Sequence, residues 1–421
     1  MHPVLRALGI VVVFVLAAVS WFVLAGVTDA RGNTSKYAIR EQVGALWGNA
    51  QSQRAPNFTV RWEEEVVETV DVTDAHGQVV SRRTDRRMET RTRPGELAST
   101  DVDVTLGLDE RRRGLFWFPL YDVGFAGAWT YTHDEPLRRV LDIGFVFPDS
   151  NAMYDDFHVV VDGTEIDAVP SGGGVSHSMW VDPGQTVTLA VRYQSRGADS
   201  WAYQPTQGVG QVKNFALTMD TDFDRIDFPV PGLSPTTKVD NGPGWTLDWD
   251  FSSAVTGYGM GMIMPTRIQP GELATELAFS APLSLGLFFL WVYVLGLLRG
   301  YQVHPVNYVF IAAAFFAFNL LFAYTADHLP VEWAFGTSAA TSVLLVVSYL
   351  RLVVGARFAF VEAGIAQMLY QVGFAVAHFF DGFTGLTITV LGILTLFALM
   401  QLTGRIDWQK ALSSRPAPVP G

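Results

Sequence analysis

The chain contains no cysteine. That excludes a disulfide framework, a thiolate nucleophile and a cysteine-based zinc site. Basic residues are few beside acidic ones, 29 against 41, and the formal net charge is −12. Most of that charge lies in the middle of the chain. Such a block lacks the basic footprint of a nucleic-acid binder and is repelled by an anionic membrane surface. Catalytic signatures are also missing. There is no Ser/His/Asp order, His-Glu-x-x-His helix, phosphate loop or Gly-x-Gly-x-x-Gly turn in a suitable setting. No ATP site is visible, which argues against a self-powered pump, and no cofactor or metal is expected.

What the chain does have is long apolar runs. Six occur, at Leu8–Val27, Leu277–Leu298, Val306–Ala326, Trp333–Val354, Phe358–Phe379 and Phe383–Leu402. A helix rises 1.5 Å per residue, so about 20 apolar residues cross a hydrocarbon core of ~30 Å. The pattern predicts an α-helical integral membrane protein with six transmembrane helices arranged one plus five around an inserted, all-β extracytoplasmic domain. The first run is longer than a signal-peptide core and lacks a clean small-x-small site after it, so it reads as an uncleaved signal anchor. The expected organisation is an anchor over 1–28, an outer domain over 29–274, a five-helix bundle over 275–404 and a tail over 405–421.

Connector charges give the orientation. Arg6 precedes the first run, Arg299 lies between the second and third, and Arg351 and Arg357 flank the fourth connector. Arg405, Lys410 and Arg415 follow the last run, with Trp408 suited to the interface. The opposite connectors carry Asp327, Glu332 and Asp381 and no Lys or Arg. By the positive-inside rule both termini are cytoplasmic and the large domain is outside. The bilayer is the first expected partner, and nucleic acid is not one.

Between Asn57 and Asp250, strand-like alternation recurs between turn signals. Runs at Phe58–Val72, Gln78–Arg91, Thr186–Tyr193, Val212–Met219 and Trp245–Phe251 are punctuated by Asp162-Gly163, Asp182-Pro183-Gly184 and Asp240-Asn241-Gly242-Pro243. This predicts antiparallel sheets in a sandwich-like domain, with a separate helix near Lys36–Trp47 leading into it.

Several clusters carry both a chemical and a structural reading. Asp101 and Asp103 have the spacing of a phosphoryl-transfer pair, but the residues before them are polar, which favours the wet face of a strand. Asp220, Asp222 and Asp224 open like a calcium loop, yet Arg225 and Pro231 stand where the loop needs Gly and Glu. Glu63, Glu64 and Glu65 face Arg82, Arg83, Arg86 and Arg87 on neighbouring strands, as cross-strand pairs or as an anionic-ligand surface. Trp180, Trp201 and Tyr203 suit sugar stacking or a core.

Polar residues in the membrane half matter more, because an unpaired polar group in hydrocarbon is costly. On an α-helical wheel Gln367, Gln371 and His378 fall near one face. Asn319 lies in the third apolar run and Glu362 begins the fifth. These five form a candidate intramembrane polar site, either joining helices or lining a path. Asp327, His328 and Asp381 form a candidate cluster at the outer mouth. Arg299, Arg351, Arg357, Arg405 and Trp408 act as cytoplasmic stops.

The layout resembles the CreD family of bacterial inner-membrane proteins. The stretches that carry the resemblance are Leu46-Trp47-Gly48-Asn49-Ala50-Gln51, Arg113-Gly114 with Pro119-Leu120-Tyr121, and Val303-His304-Pro305-Val306-Asn307-Tyr308. Asn319 through Asp327-His328, Ser348-Tyr349-Leu350, Leu369-Tyr370-Gln371 and Gly404-Arg405-Ile406-Asp407-Trp408 continue it in order. Two positions depart from the family pattern: Phe380-Asp381 replaces a Glu-Asp pair, and Asn319 stands where an aromatic is common. The resemblance implies an inner-membrane role in envelope integrity or the β-lactam-linked envelope-stress response, with no catalytic residues to carry over. The expectation is a non-enzymatic protein whose outer domain binds an envelope protein or wall-linked partner. The alternatives are a transporter or lipid-handling protein using the bundle's polar residues, and a hydrolase using the outer acidic-His cluster.

Overall fold

The computed structural model describes residues 3–73, 79–114, 116–167, 169–301, 303–380 and 382–404. The chain divides into two compact units. One comprises Met1–Ile39, Gly114–Phe116 and Ile268–Gly421; the other comprises Arg40–Arg113 and Trp117–Arg267.

The first unit is helical. Among the described residues, six helices are long and apolar enough to cross a membrane, one before the strands and five after them. They are α1 (Pro3–Trp47), α2 (Pro270–Arg299), α3 (Pro305–Thr325), α4 (Val331–Val353), α5 (Phe358–Phe379) and α6 (Thr384–Thr403). Large apolar side chains line their shared interior, among them Trp21, Leu285, Phe288, Tyr308, Phe315 and Tyr370. Many others remain exposed, as expected of helices whose solvent is lipid.

α1 corrects the sequence reading. A separate helix was expected near Lys36–Trp47, but one helix runs unbroken to Trp47. The polar stretch that follows Val27 contains no proline, and the hydroxyls of Thr28 and Thr34 donate back to Leu24 O and Ala30 O. Such back-bonding keeps polar residues inside the helical ladder, and Gly32 costs only about 1 kcal/mol relative to alanine. The helix ends at Gly48, whose φ of 94° suits glycine and whose N–H donates to Gly44 O. A Cβ there would lie 2.7 Å from Arg196 O.

The second unit is built from three sheets. The smallest orders β1 (Gln51–Arg54), β11 (Ser200–Gln204) and β15 (Met260–Ile263). The four-stranded sheet orders β3 (Val79–Pro94), β2 (Asn57–Thr73), β6 (Arg139–Val146) and β9 (Gly174–Val181). The largest has eight strands. Its order is β13 (Thr237–Asp240), β14 (Trp245–Thr256), β12 (Gly210–Thr221), β4 (Leu97–Arg113), β5 (Phe116–Thr132), β10 (Thr186–Ala198), β7 (Tyr154–Val161) and β8 (Thr164–Glu165). The expected strands are present among the described residues, Gln78 lying outside them, and Asp162-Gly163 makes the two-residue β7–β8 turn with φ of 48° and 76°. The sheets are not uniformly antiparallel, however. β4 pairs with β12 in parallel, and so does β1 with β11. In each case the partners are far apart in sequence, which leaves room for the crossover a parallel pair requires.

One hydrophobic core draws on all three sheets, with Phe58, Leu141, Trp129, Tyr193, Trp201 and Tyr203 among its buried members. Some of its polar atoms pair within it: Trp129 Nε1 donates to Tyr203 Oη at 2.9 Å, and Tyr193 Oη to Gln53 Oε1 at 2.9 Å. Trp201 and Tyr203 are therefore core residues, while Trp180 is exposed beneath Arg138. Asp101 and Asp103 occupy the wet face of β4, as expected. Burial and the neighbouring Asp101 and Asp220 raise the Asp103 pKa.

At the start of β2, Arg61 Nε donates to Asp142 Oδ2 at 2.7 Å and holds β2 to β6. The Arg61 hydrogen bond, assisted by one from Ser178, pulls the Asp142 carboxyl below its ordinary value. A lowered folded pKa stabilises above the unfolded value of about 4, and the contribution is lost as pH falls through the folded value. Both groups are about a third exposed or more, so solvent screens the pair and its contribution is small. Asp142→Asn should lower stability slightly at pH 7 and flatten the acid limb below about pH 4. Denaturant titrations of the full chain in detergent at several pH values check this.

Candidate functional site: a hydrogen-bonded hub in the helical bundle

The polar residues of the bundle converge on α5, and α5 is not a regular α-helix. Phe358–Ala363 and Met368–Gly373 are π-helical, Gly364–Gln367 and Phe374–Val376 are α-helical, and Ala377–Phe379 closes as a 3₁₀ turn. A π turn bonds i to i+5 and holds more residues than an α turn, so it shifts the phase of everything after it.

Gln367 and Gln371 are buried and bonded to each other, Gln367 Nε2 donating to Gln371 Oε1 at 2.8 Å. Both also reach Ser342 on α4. Its hydroxyl lies 2.9 Å from Gln371 Oε1 and 2.8 Å from Ala314 O, and receives Gln367 Nε2 at 3.2 Å. Gln371 Nε2 donates to Phe315 O of α3 at 3.3 Å. Two further contacts leave from Tyr370. Its carbonyl accepts from Ser284 on α2, and its hydroxyl meets Thr395 Oγ1 of α6 at 2.9 Å. α5 thus hydrogen-bonds to α2, α3, α4 and α6.

The other expected members stand apart from this hub. Glu362 pairs with Arg299 at 2.6 Å, tying the start of α5 to the last turn of α2. Asn319 is buried on α3, and its Oδ1 has no hydrogen-bond partner among the described residues. His378 bonds back to Phe374 O at 3.2 Å and shares no hydrogen bond with Gln371. The single face expected for Gln367, Gln371 and His378 assumed 3.6 residues per turn, and the second π segment breaks that phase. Gln367 Oε1 is also unpaired.

The outer-mouth cluster does not assemble among the described residues. Asp327 and His328 lie on the turn after α3, His328 exposed, and Asp381 lies outside the described residues. No group of three or more His, Asp or Glu is placed to hold a metal among the described residues. Arg351 and Arg357 are exposed at the end of α4 and just before α5; Arg405 and Trp408 lie outside the described residues. Asp222 accepts from Leu108 N rather than forming part of a cation loop.

Residues 279–409 match the family described as inner membrane protein CreD. The helical part of the chain that follows the strands is thus similar to that family. No curated protein matches the chain. Among solved structures, a Legionella pneumophila protein provisionally described as nutrient binding aligns over 57% of this chain and 79% of its own, at 9% identity and a TM-score of 0.34. An M1 zinc metallopeptidase from Deinococcus radiodurans aligns over 66% and 93%, at 13% identity and a TM-score of 0.25. A two-domain M1 zinc metallopeptidase variant bound to L-arginine aligns over 66% and 94%, at 10% identity and 0.25. Scores this low carry no argument about fold or chemistry.

The CreD-like stretches have structural roles on the page. His304 caps α3, its Nδ1 accepting from Val306 N at 3.3 Å, with Pro305 at the first helical position. Tyr349 Oη donates to Asn307 Oδ1 at 2.9 Å, so two of the stretches bond α4 to α3. Leu369-Tyr370-Gln371 is the hub itself. Ser284, Ser342 and Thr395 were missed in the sequence because a lone hydroxyl in an apolar run carries no periodic signal. Interhelical hydrogen bonds in membranes contribute about 0.6–2 kcal/mol each. Gln371→Leu removes the acceptor of both Ser342 and Gln367 and should destabilise by about 1–2 kcal/mol. Gln367→Leu also deletes an unpaired oxygen and should cost less, about 0.5–1 kcal/mol. Thermal unfolding in detergent should give that order.

Proposed function

We propose that this is a non-enzymatic inner-membrane protein supporting envelope integrity, with one helix and then five crossing the membrane. Its sheets face the extracytoplasmic side as a sandwich-like domain and bind a protein or wall-linked partner. The observation that carries this reading is the hub on α5. The bundle's buried polar side chains are spent largely on bonds between helices, the chemistry of an anchor, which leaves recognition to the large domain in water. The family match and the arginine-bearing connectors at Arg299, Arg351 and Arg357 support the placement.

A second reading, lipid handling, draws on one feature. An apolar groove of about 890 Å³ runs between α4 and α5, lined by Gly336, Ala339, Val347, Gly364 and Met368, with Arg351 among its residues. Asn319, buried on α3 away from that groove with an unpaired oxygen, reports on a polar path through the bundle interior. A deletion strain should be more sensitive to β-lactams and detergent than its parent, and the Asn319→Leu chain at matched membrane levels should restore resistance fully. Failure of that variant alone would move the assignment to a path through the bundle. The absence of cysteine permits a topology test with single cysteines. Val239→Cys should react with an impermeant thiol reagent in spheroplasts, and Arg357→Cys should react only after lysis.

A further inference from the structure

The β2–β3 hairpin outruns the sheet that holds it. β2 pairs with β6 only from Asn57 to Arg61, whereas β2 and β3 stay paired from Thr59 and Pro94 out to Thr73 and Val79. Trp62, under Arg139 at 4.8 Å, is the last side chain of β2 packed against the core. From Glu63 to Thr69 and from Arg83 to Arg91 no residue is buried, and Val67 and Met88 are more than half exposed. A two-stranded ribbon with both edges open is marginal in water and is a template for another strand.

Its arginines are confined to one strand, whereas acids occur on both. Between Glu63 and Thr69, β2 carries Glu63, Glu64, Glu65 and Glu68 and no base; β3 carries Arg83, Arg86, Arg87 and Arg91 with Asp85 and Glu89 between them, and so has a net positive charge. Yet the register sets Glu64 opposite Glu89 and Glu68 opposite Asp85, and between Trp62 and Thr69 no acid faces an arginine directly. Like charges directly opposed are destabilising. The ion pairs that do form are diagonal or run along one strand, such as Arg91 with Glu64 at 3.2 Å and Arg87 with Glu89 at 2.6 Å, and no partner in them is buried. The charges suit the open edges better. Two β3 edges repel each other, and so do two β2 edges, but β3 attracts β2. Continuing the strand order into a neighbouring copy places β3 antiparallel to that copy's β2. With Arg87 opposite Glu64, Arg86 falls opposite Glu65 and Arg83 opposite Glu68, each on its own face of the ribbon.

We propose that the β2–β3 ribbon joins copies of this chain edge to edge, the arginine edge of β3 in one copy pairing with the glutamate edge of β2 in the next. Main-chain hydrogen bonds supply the attachment, and the charges select partner and register. The contact is heterologous, so it builds a ring or an open row. It stands independently of the envelope role.

The cysteine-free chain makes the test direct. Full-length chains carrying Glu64→Cys and chains carrying Arg87→Cys are co-expressed, and their membranes are treated with a flexible bis-maleimide, which tolerates a slip of register. The mixed dimer should dominate over both like-with-like dimers. Adding Arg83→Glu and Arg86→Glu to the Arg87→Cys copy should cut the mixed product about tenfold, as expected for the loss of two ion pairs. Adding Glu65→Arg and Glu68→Arg to the other copy should restore it, which a misfolded ribbon could not do. Absence of the mixed dimer, equal yield from two Glu64→Cys copies, or failure of the paired reversal would each overturn the proposal.

Discussion

Hydrocarbon offers no hydrogen bonds, and the bundle is organised around that refusal. Every polar side chain placed in the spans has to find its partner within the protein. α5 carries the heaviest polar load and accordingly bonds to four other helices, through Gln367, Gln371 and both ends of Tyr370. The π turns belong to the same logic. Irregular backbone is tolerated at membrane depth only where protein covers it, and both π segments have buried faces, with Phe358, Ala359 and Ala363 in one and Tyr370 and Gln371 in the other. Removing the hub would leave acceptors and donors facing one another without partners, a larger penalty than the loss of any one bond.

The gross architecture was legible because the bilayer imposes a length and a composition at once. An apolar run of about 20 residues has few alternative readings, and the strand periods between Asn57 and Asp250 were nearly as plain. What escaped was whatever depended on contacts between elements. The continuity of α1 reflects a polar stretch without proline whose threonine hydroxyls are satisfied within the helix, and the parallel β4–β12 pair joins segments that no local period connects. The face shared by Gln367, Gln371 and His378 dissolved because a helical wheel assumes one pitch throughout. Gln367 and Gln371 were close enough in sequence to survive that error, and His378 was not.

The family-like stretches bear on where function is to be sought. Outside the membrane half, Gln51 Nε2 bonds Ser195 Oγ and Arg196 O, and Tyr121 Oη bonds Ser200 O, so both brace the sheets from within. Trp47 lies beneath Arg111 and Arg113 at the end of α1. Inside the bundle, Asn307, Tyr349, Tyr370 and Gln371 join helices. Most of the family-like motifs thus help to hold the fold together, although Asn319 and Gln51 each keep one unpaired oxygen.

Activity is better sought where the chain breaks local consistency without compensation nearby, since such breaks persist when something else uses them. In the membrane half such breaks are single unpaired atoms, among them oxygens on Asn319, Gln367 and Glu362 and the indole nitrogen of Trp21. In the sheets the break is larger and extended: a ribbon that leaves its sheet, keeps its arginines on one strand, and sets acid against acid across its own register. Exposed edges are ordinarily blunted by charge, and mixed signs on each strand would do that against every partner. A net negative β2 and a β3 that stays net positive despite Asp85 and Glu89 do it against only two of the three possible pairings. The pairing left open is the one that a row of identical copies would use.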